Sequence, residues 1–275
     1  MKRDTAIKEL CLEPLALLDV SALDVVDLAA AAGFGAMSLW VHSPTPHFVA
    51  PCLIEPGQAG AMARRLADAG LRVCNLEVFR VGPGVDIGSY EASLALGAEL
   101  GAATTTAIAK DGSDETAEAL ARFTRMAARH GVRVNVEFLS YRGPCSLTQA
   151  MALVDKVGDA GTGILVDILH LVRSGGSISE VSALAPGIIG HVQLCDGPTE
   201  VPQAGLEHES AFDRMLPGTG SFPLAPFIAA LPDMALGLEI PRSSVAFEGM
   251  TPAERAKRLF DATLTFLELS VETAA

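Results

Sequence analysis

The five cysteines of this chain, Cys11, Cys52, Cys74, Cys145 and Cys195, are odd in number and scattered, with no C-x-x-C pair. That excludes a disulfide frame and points to reduced thiols in a cytoplasm, most of them packed as small hydrophobes. No window approaches the ~20 apolar residues of a membrane span. The opening MKRDTAIKELCLEP carries basic residues but no apolar stretch of signal length, so neither a membrane partner nor a leader is expected. No Lys/Arg cluster offers a face to a phosphate backbone, and the net charge is -13, which excludes nucleic acid as a partner. The acidic balance itself reads as a solubility property. Linkers and low-complexity segments are also lacking, so residues 1–275 read as one domain, and 49% hydrophobic content fits a packed globular chain.

What is there is alternation. Short apolar runs at Ile7–Leu12, Gly35–Val41, Arg72–Val78, Ala103–Ala107, Val132–Phe138, Gly163–Ile168, Ile188–Leu194 and Leu236–Ile240 read as strands. Helical segments separate them: Ala22–Ala32 with Ser21 as its cap, Pro56–Ala69 stopped by Gly70, Ser89–Leu100, and Asp114–His130 stopped by Gly131. The second half continues with Leu147–Val157, Ile178–Leu184, Leu224–Leu231 and Pro252–Val271. Eight strand–helix units imply a parallel sheet closed into a (β/α)8 TIM barrel, α/β in class. An open doubly wound sheet would show a Gly-rich turn after its first strand, and CLEPLALLD has none. The longest irregular stretch is Asp196–Phe222, expected as a loop over the strand ends.

Four polar residues end four successive strands: Glu137 in VRVNVEF, Asp167 in GILVDILH, Gln193 in IGHVQLCD and Glu239 in ALGLEIP. A parallel strand is covered on both faces and is normally apolar. A carboxylate there costs several kcal/mol unless it is paired or bound to a metal. Three carboxylates and an amide oxygen suit a hard cation, Mg²⁺ or Mn²⁺. His170, three residues after Asp167, is expected to point back into the same pocket as a metal-side ligand or a donor to substrate. His191 shares the face of Gln193 and is expected a layer deeper. Trp40, His42 and Glu77 lie near strand ends of the first half as candidate substrate contacts. Arg80, Arg142, Arg173 and Arg214 are candidate anion or hydroxyl contacts, and Phe48 and Phe79 are candidate rim residues for a subunit contact or lid.

Together these runs resemble the xylose isomerase-like TIM-barrel superfamily, in its sugar-phosphate isomerase/epimerase branch. The resemblance rests on DILH (Asp167–His170), GHVQLCD (Gly190–Asp196), PGTG (Pro217–Gly220), the strand-five Glu137 and GLEIP around Glu239. It implies one divalent metal per chain on Glu137, Asp167, Gln193 and Glu239. Gln193 stands where epimerase relatives usually have His, which favours Mn²⁺ or Mg²⁺ over Co²⁺ or Zn²⁺. It further implies that Glu137 and Glu239 act as an acid/base pair, with His170 on the substrate. The expected substrate is a small carbohydrate, a keto-sugar or keto-polyol, isomerised or epimerised through an enediolate. Dehydration of an inosose- or dehydroshikimate-like ring is the alternative, and a non-catalytic sugar-binding barrel a further one. Relatives form homodimers or homotetramers. The related endonuclease IV fold uses a three-metal cluster with many more histidines than the six here, so DNA repair is rejected.

Overall fold

The computed structural model describes residues 10–43 and 50–273. Its strands are β1 (Leu10–Leu12), β2 (Ala36–Trp40), β3 (Arg72–Val81), β4 (Thr104–Ala109), β5 (Arg133–Glu137), β6 (Thr162–Asp167), β7 (Ile189–Leu194) and β8 (Leu236–Leu238). Each pairs in parallel with the next, and β8 closes the barrel on β1 through Leu10↔Leu236, Cys11↔Gly237 and Leu12↔Leu238. This is the expected (β/α)8 barrel. The part of the first predicted strand before residue 10 lies outside the described residues, as does Phe48.

The α-helices are α1 (Ala22–Ala32), α2 (Ala59–Ala69), α3 (Glu91–Glu99), α4 (Asp114–Arg129), α5 (Leu147–Val157), α6 (Ile168–Arg173), α7 (Ile178–Ser182), α8 (Leu206–Phe212), α9 (Leu224–Ala230) and α10 (Pro252–Thr273). Local chemistry sets their ends. Ser21 accepts from the Asp24 N–H to open α1, and Gly70 closes α2 in the left-handed region at φ +66°. Along α4 the buried residues Ala117, Leu120, Phe123, Thr124 and Ala127 recur at three- and four-residue spacing, and that stripe is what packs on the barrel. Among the described residues no helix is long and apolar enough to cross a membrane.

Two expectations change. The Asp196–Phe222 stretch is not wholly irregular, because it holds α8, whose Glu209 and Ser210 are buried. Phe79 is not at an exposed rim. Strand β3 runs on to Val81, and Phe79 is fully buried, its ring centroid 4.9 Å from Tyr90 and 5.2 Å from Phe123.

Registers decide what converges inside. Glu137 pairs with Leu165, so Asp167 stands two residues further along β6. Asp167 pairs with Gln193, and Gln193 with Gly237, so Glu239 stands two residues beyond that level. Strand tilt in a closed barrel turns such a stagger into a ring around the axis. Beneath the ring the interior is polar, whereas bulky aliphatic layers are usual in this fold. Glu13, Ser38, Asn75, Thr106, Asn135 and His191 are all buried there.

Candidate active site

Glu137, Asp167, Gln193 and Glu239 all project into the C-terminal mouth of the barrel and are buried. The mouth opens into a cavity of about 270 Å³ whose walls include Leu15, Trp40, Leu139, Tyr141 and Phe212. Glu77 and His170 join the same cavity. Three predicted contacts, Arg80, His42 and Arg173, do not. The His42 ring stacks on Phe79 at 5.5 Å and meets Tyr90 edge-on at 4.6 Å, and it lines a separate hollow with Ala92 and Leu96. Arg173 is spent on structure. It grips both oxygens of Glu209 at 2.6 and 2.7 Å and the Pro198 carbonyl at 2.8 Å, which ties α8 and the loop after β7 to α6.

Each donor is held differently. Asp167 caps α6: its Oδ1 accepts from the Leu169 N–H at 2.8 Å, and its Oδ2 faces Arg214 Nη1 at 2.6 Å. Glu239 Oε1 accepts from Gln193 Nε2 at 3.0 Å, and its Oε2 is ion-paired with Arg214 Nη2 at 2.8 Å. Gln193 Nε2 also donates to Glu77 Oε1 at 2.8 Å, and Trp40 Nε1 donates to Glu77 Oε2 at 3.0 Å. With its amide N–H groups so engaged, Gln193 keeps a buried Oε1 that has no hydrogen-bond partner among the described residues. Glu137 accepts no hydrogen bond among the described residues, and its Oε1 lies 4.0 Å from His170 Nε2.

Arg214 is the residue that reasoning from sequence left among four equivalent arginines. Three carboxylates at one place demand a buried cation, but spacing alone does not say which arginine supplies it. Glu13 was missed outright, although it ends the apolar run LCLEP just as the other four end theirs. It accepts a 2.7 Å contact from His191 Nε2 in the layer below, the depth expected for His191.

The electrostatics follow from burial. Five carboxyl groups, Glu13, Glu77, Glu137, Asp167 and Glu239, are buried here, and the buried Arg214 guanidinium is paired with two of them, Asp167 and Glu239. Desolvation, and then Glu239 and Asp167, push Glu137 well above the usual carboxylate range. Desolvation raises Glu239 as well, against the pull of Arg214. Glu77 is pushed up to about 8 by burial and then by Glu13, and Glu13 itself to about 7, mainly by burial. Burial works against the Arg214 charge, but Asp167 and Glu239 outweigh it and hold that group above its usual value.

A divalent cation fits this donor set. An orphaned amide oxygen, an unbonded carboxylate and a deficit of positive charge all point the same way. Atoms of Glu137, Asp167 and His170 lie within 4.8 Å of one another. His170 is nonetheless the weaker ligand of the group. Its Nδ1 receives the Ser140 N–H at 3.3 Å, so the neutral ring carries its proton on Nε2, the nitrogen that faces Glu137 and Asp167. Burial holds this ring down to about 4, so it is neutral at physiological pH. Glu137, Asp167 and His170 are the residues whose donor atoms the structure brings together, with Glu239 and Gln193 at neighbouring strand ends.

Comparisons with known proteins agree with the fold. The family model described as xylose isomerase-like TIM barrel matches residues 26–265. A Streptomyces coelicolor protein assigned by name as a hydroxypyruvate isomerase is 31% identical over 234 residues, spanning 71% of this chain and 75% of that one. A Pseudomonas aeruginosa 3-dehydroshikimate dehydratase is 27% identical over 263 residues, 90% of this chain, which spans only 40% of that protein's length. The fold is shared with the IolI protein, solved with a zinc atom, at a TM-score of 0.79 and 16% identity, over 95% of this chain and 99% of that one.

Proposed function

The chain belongs to the xylose isomerase-like TIM-barrel family, whose relatives are isomerases and dehydratases, and we propose that it is a divalent-metal-dependent isomerase or epimerase. Its substrate on this reading is a small hydroxy-ketone of the keto-sugar or keto-polyol kind. The observation that carries the proposal is that Glu137 and Glu239 line one cavity, beside strand β7 whose buried Gln193 Oε1 has no hydrogen-bond partner.

Glu137, Asp167, Gln193 and Glu239 would hold one divalent cation. When bound, it supplies Lewis-acid polarisation of a carbonyl, which acidifies the neighbouring C–H. The remaining chemistry falls to the chain. Glu137 is the better proton acceptor, because its oxygens take no hydrogen bond among the described residues, while Glu239 accepts one from Gln193 and is ion-paired with Arg214. Burial raises the proton affinity of Glu137 above that of an ordinary glutamate. A protonated Glu239, whose proton affinity burial raises, would deliver its proton to the opposite face of the same carbon and invert the stereocentre, while Glu137 keeps the one it removed. For isomerisation Glu137 would give its own proton back at the adjacent carbon, with the hydroxyl proton passing between the two substrate oxygens. The His170 Nε2–H is placed to donate to a substrate oxygen. Arg214 fixes Asp167 and Glu239, as outer-shell partners commonly do.

Dehydration is the second reading. It starts with the same proton removal, and the dehydratase relative and the largely apolar cavity walls favour it.

The test is metal content followed by exchange. Purified protein should bind about one divalent ion per chain after chelation and Mn²⁺ reloading, and lose it in Glu239→Ala. The loaded enzyme should then incorporate deuterium from D₂O into hydroxy-ketones without loss of water. Water loss would select the dehydratase reading. Failure to bind any ion under all loading conditions would end both.

A further inference from the structure

The cavity of the candidate active site changes chemistry from floor to rim. What it offers to a ligand's oxygens is gathered at the floor, on Glu137, Glu239 and His170. Around them stand five apolar side chains that remain partly exposed. Leu15 and Leu18 come from the turn after β1, Val78 from β3, Ile108 from β4 and Phe212 from α8. Side chains from four separate elements thus line one concavity as an apolar collar. Apolar residues exposed singly need no explanation, but a shared apolar surface of this kind marks a place where something binds.

Phe212 is the plainest member of the collar. It is 51% exposed, although α8 is anchored by the buried Arg173–Glu209 pair and the Phe212 carbonyl accepts from Ser243 Oγ at 3.0 Å. The backbone that carries the ring is held in place, and the ring is kept at the surface.

The polar groups of the wall are committed within the protein. Arg214 gives its Nε to the Ser210 carbonyl at 2.9 Å and its two arms to Asp167 and Glu239. Both oxygens of Glu77 are taken, by Gln193 Nε2 and by Trp40 Nε1. Arg142 also lines the cavity, but its side chain is 47% exposed and paired with Glu207 at 3.8 Å, so water already serves its charge. The neighbouring PGTG loop offers no seat for a phosphate either. Gly218 and Gly220 donate to Asp196 Oδ2 at 3.0 and 2.9 Å, and the protein's own carboxylate fills that nest. A hydroxyl or phosphate at the far end of a substrate would lie against the collar without a partner, and burying such a group unpaired is unfavourable.

We propose that the substrate is a hydroxy-ketone deoxygenated at its far end, with an alkyl or aryl group seated in the collar. Its carbonyl and the hydroxyls beside it lie at the floor, among Glu137, Glu239 and His170. This rests on the proton-transfer reading above and names which hydroxy-ketones that site takes. A volume of about 270 Å³ limits the ligand to a small molecule. The collar residues are specificity determinants, because they meet the unreactive end and leave the reacting carbons to the carboxylates.

Erythrulose and its analogue with a methyl group in place of the terminal hydroxyl test the proposal, since the two share every atom around the ketone. Deuterium uptake from D₂O at the carbons beside the ketone, and calorimetric binding, are measured for both on the full, Mn²⁺-loaded chain. An apolar pocket discriminates against an added hydroxyl by about 100-fold, so the methyl analogue should exceed erythrulose in kcat/KM by about that factor. Phe212→Gln changes an exposed position, where substitution costs little stability. That variant and Ile108→Thr should each lower the ratio by about tenfold, chiefly through KM. Equal or better handling of erythrulose, or a ratio that neither variant moves, overturns the role of the collar and leaves the proton-transfer reading intact. Preferential binding of the methyl analogue, weakened in Phe212→Gln, with no exchange on either compound supports the collar and overturns the proton-transfer reading. Neither binding nor exchange with either compound overturns both.

Discussion

Arg214 Nη1 lies 2.6 Å from Asp167 Oδ2, and both side chains are almost wholly removed from water. The other arm of the same guanidinium reaches Glu239 at 2.8 Å, so one residue spans two strands of the barrel mouth. Breaking a buried pair leaves an uncompensated charge, which costs far more than the pair contributes over an apolar replacement. Arg214→Met should therefore destabilise the metal-free protein by about 3–5 kcal/mol in urea unfolding. Arg214→Lys should recover only part of this, since an ammonium cannot fork between Asp167 and Glu239. A methionine variant as stable as the wild type would show that the clamp carries no weight.

Glu137 and Glu239 separate under the same amide substitution. Either variant should lower kcat by about 10²–10⁴ if these groups move protons. Their stabilities should diverge. Glu137→Gln replaces a carboxyl group that accepts no hydrogen bond and whose ionisation burial and its neighbours disfavour, so the chelated variant should melt at or above the wild type. Glu239→Gln strips Arg214 of one partner and should melt below it. Differential scanning calorimetry of both variants in EDTA reads this directly, and an equal shift in the two would contradict the assigned bonding.

Glu77 gives the metal-free protein an alkaline weakness. Burial and Glu13 raise its folded value to about 8, against about 4.3 for an unfolded glutamate. Between those values the folded state holds a proton that the unfolded state has released, so stability falls as pH rises. The contribution is complete below the unfolded value and is lost as pH climbs through 8. Over pH 6.5 to 8 the loss from this one group is about 2 kcal/mol. Glu77→Gln should flatten the slope by one proton equivalent in chelated protein. A wild-type slope that is flat from the outset would show that Glu77 is already ionised.

How legible was this site? Periodicity and glycine stops showed all eight strands, because an apolar run bounded by turn chemistry is a local property. Glu137, Asp167, Gln193 and Glu239 were visible for the same reason: each is a polar residue where burial forbids one without a partner. Arg214 was not singled out, since its role depends on where α8 and the loop after β7 return to the barrel. That path is set by the Arg173–Glu209 pair and by Asp196 filling the PGTG nest, neither of which has a periodic signature. His42 looked equivalent to Trp40 from its position near a strand end. It is carried to the other side of the wall by packing on Phe79 and Tyr90, in a strand that runs three residues further than its apolar pattern suggested.

Gly237 links the polar layer beneath the site to catalysis. It pairs with Cys11 on one side and with Gln193 on the other, in the shortest part of the sheet. A Cβ there would lie 2.7 Å from the Val192 carbonyl and would press into the Glu13 carboxylate, which holds His191 at 2.7 Å. The backbone atom cannot give way without opening the β7–β8 ladder, and Glu13 cannot move without releasing His191. Gly237→Ala should thus cost about 1–3 kcal/mol, the usual range for overpacking a tight core, and should lower kcat by disturbing Gln193. Gly60→Ala is the matched control, because a Cβ in the first turn of α2 meets only Arg64 Nη1, at 3.6 Å. That change should leave turnover alone and be neutral or stabilising by up to about 1 kcal/mol. If Gly237→Ala also proved silent in both melting temperature and rate, the close approach of β8 to Glu13 would not constrain the site, and the polar layer would be packing without a part in the chemistry.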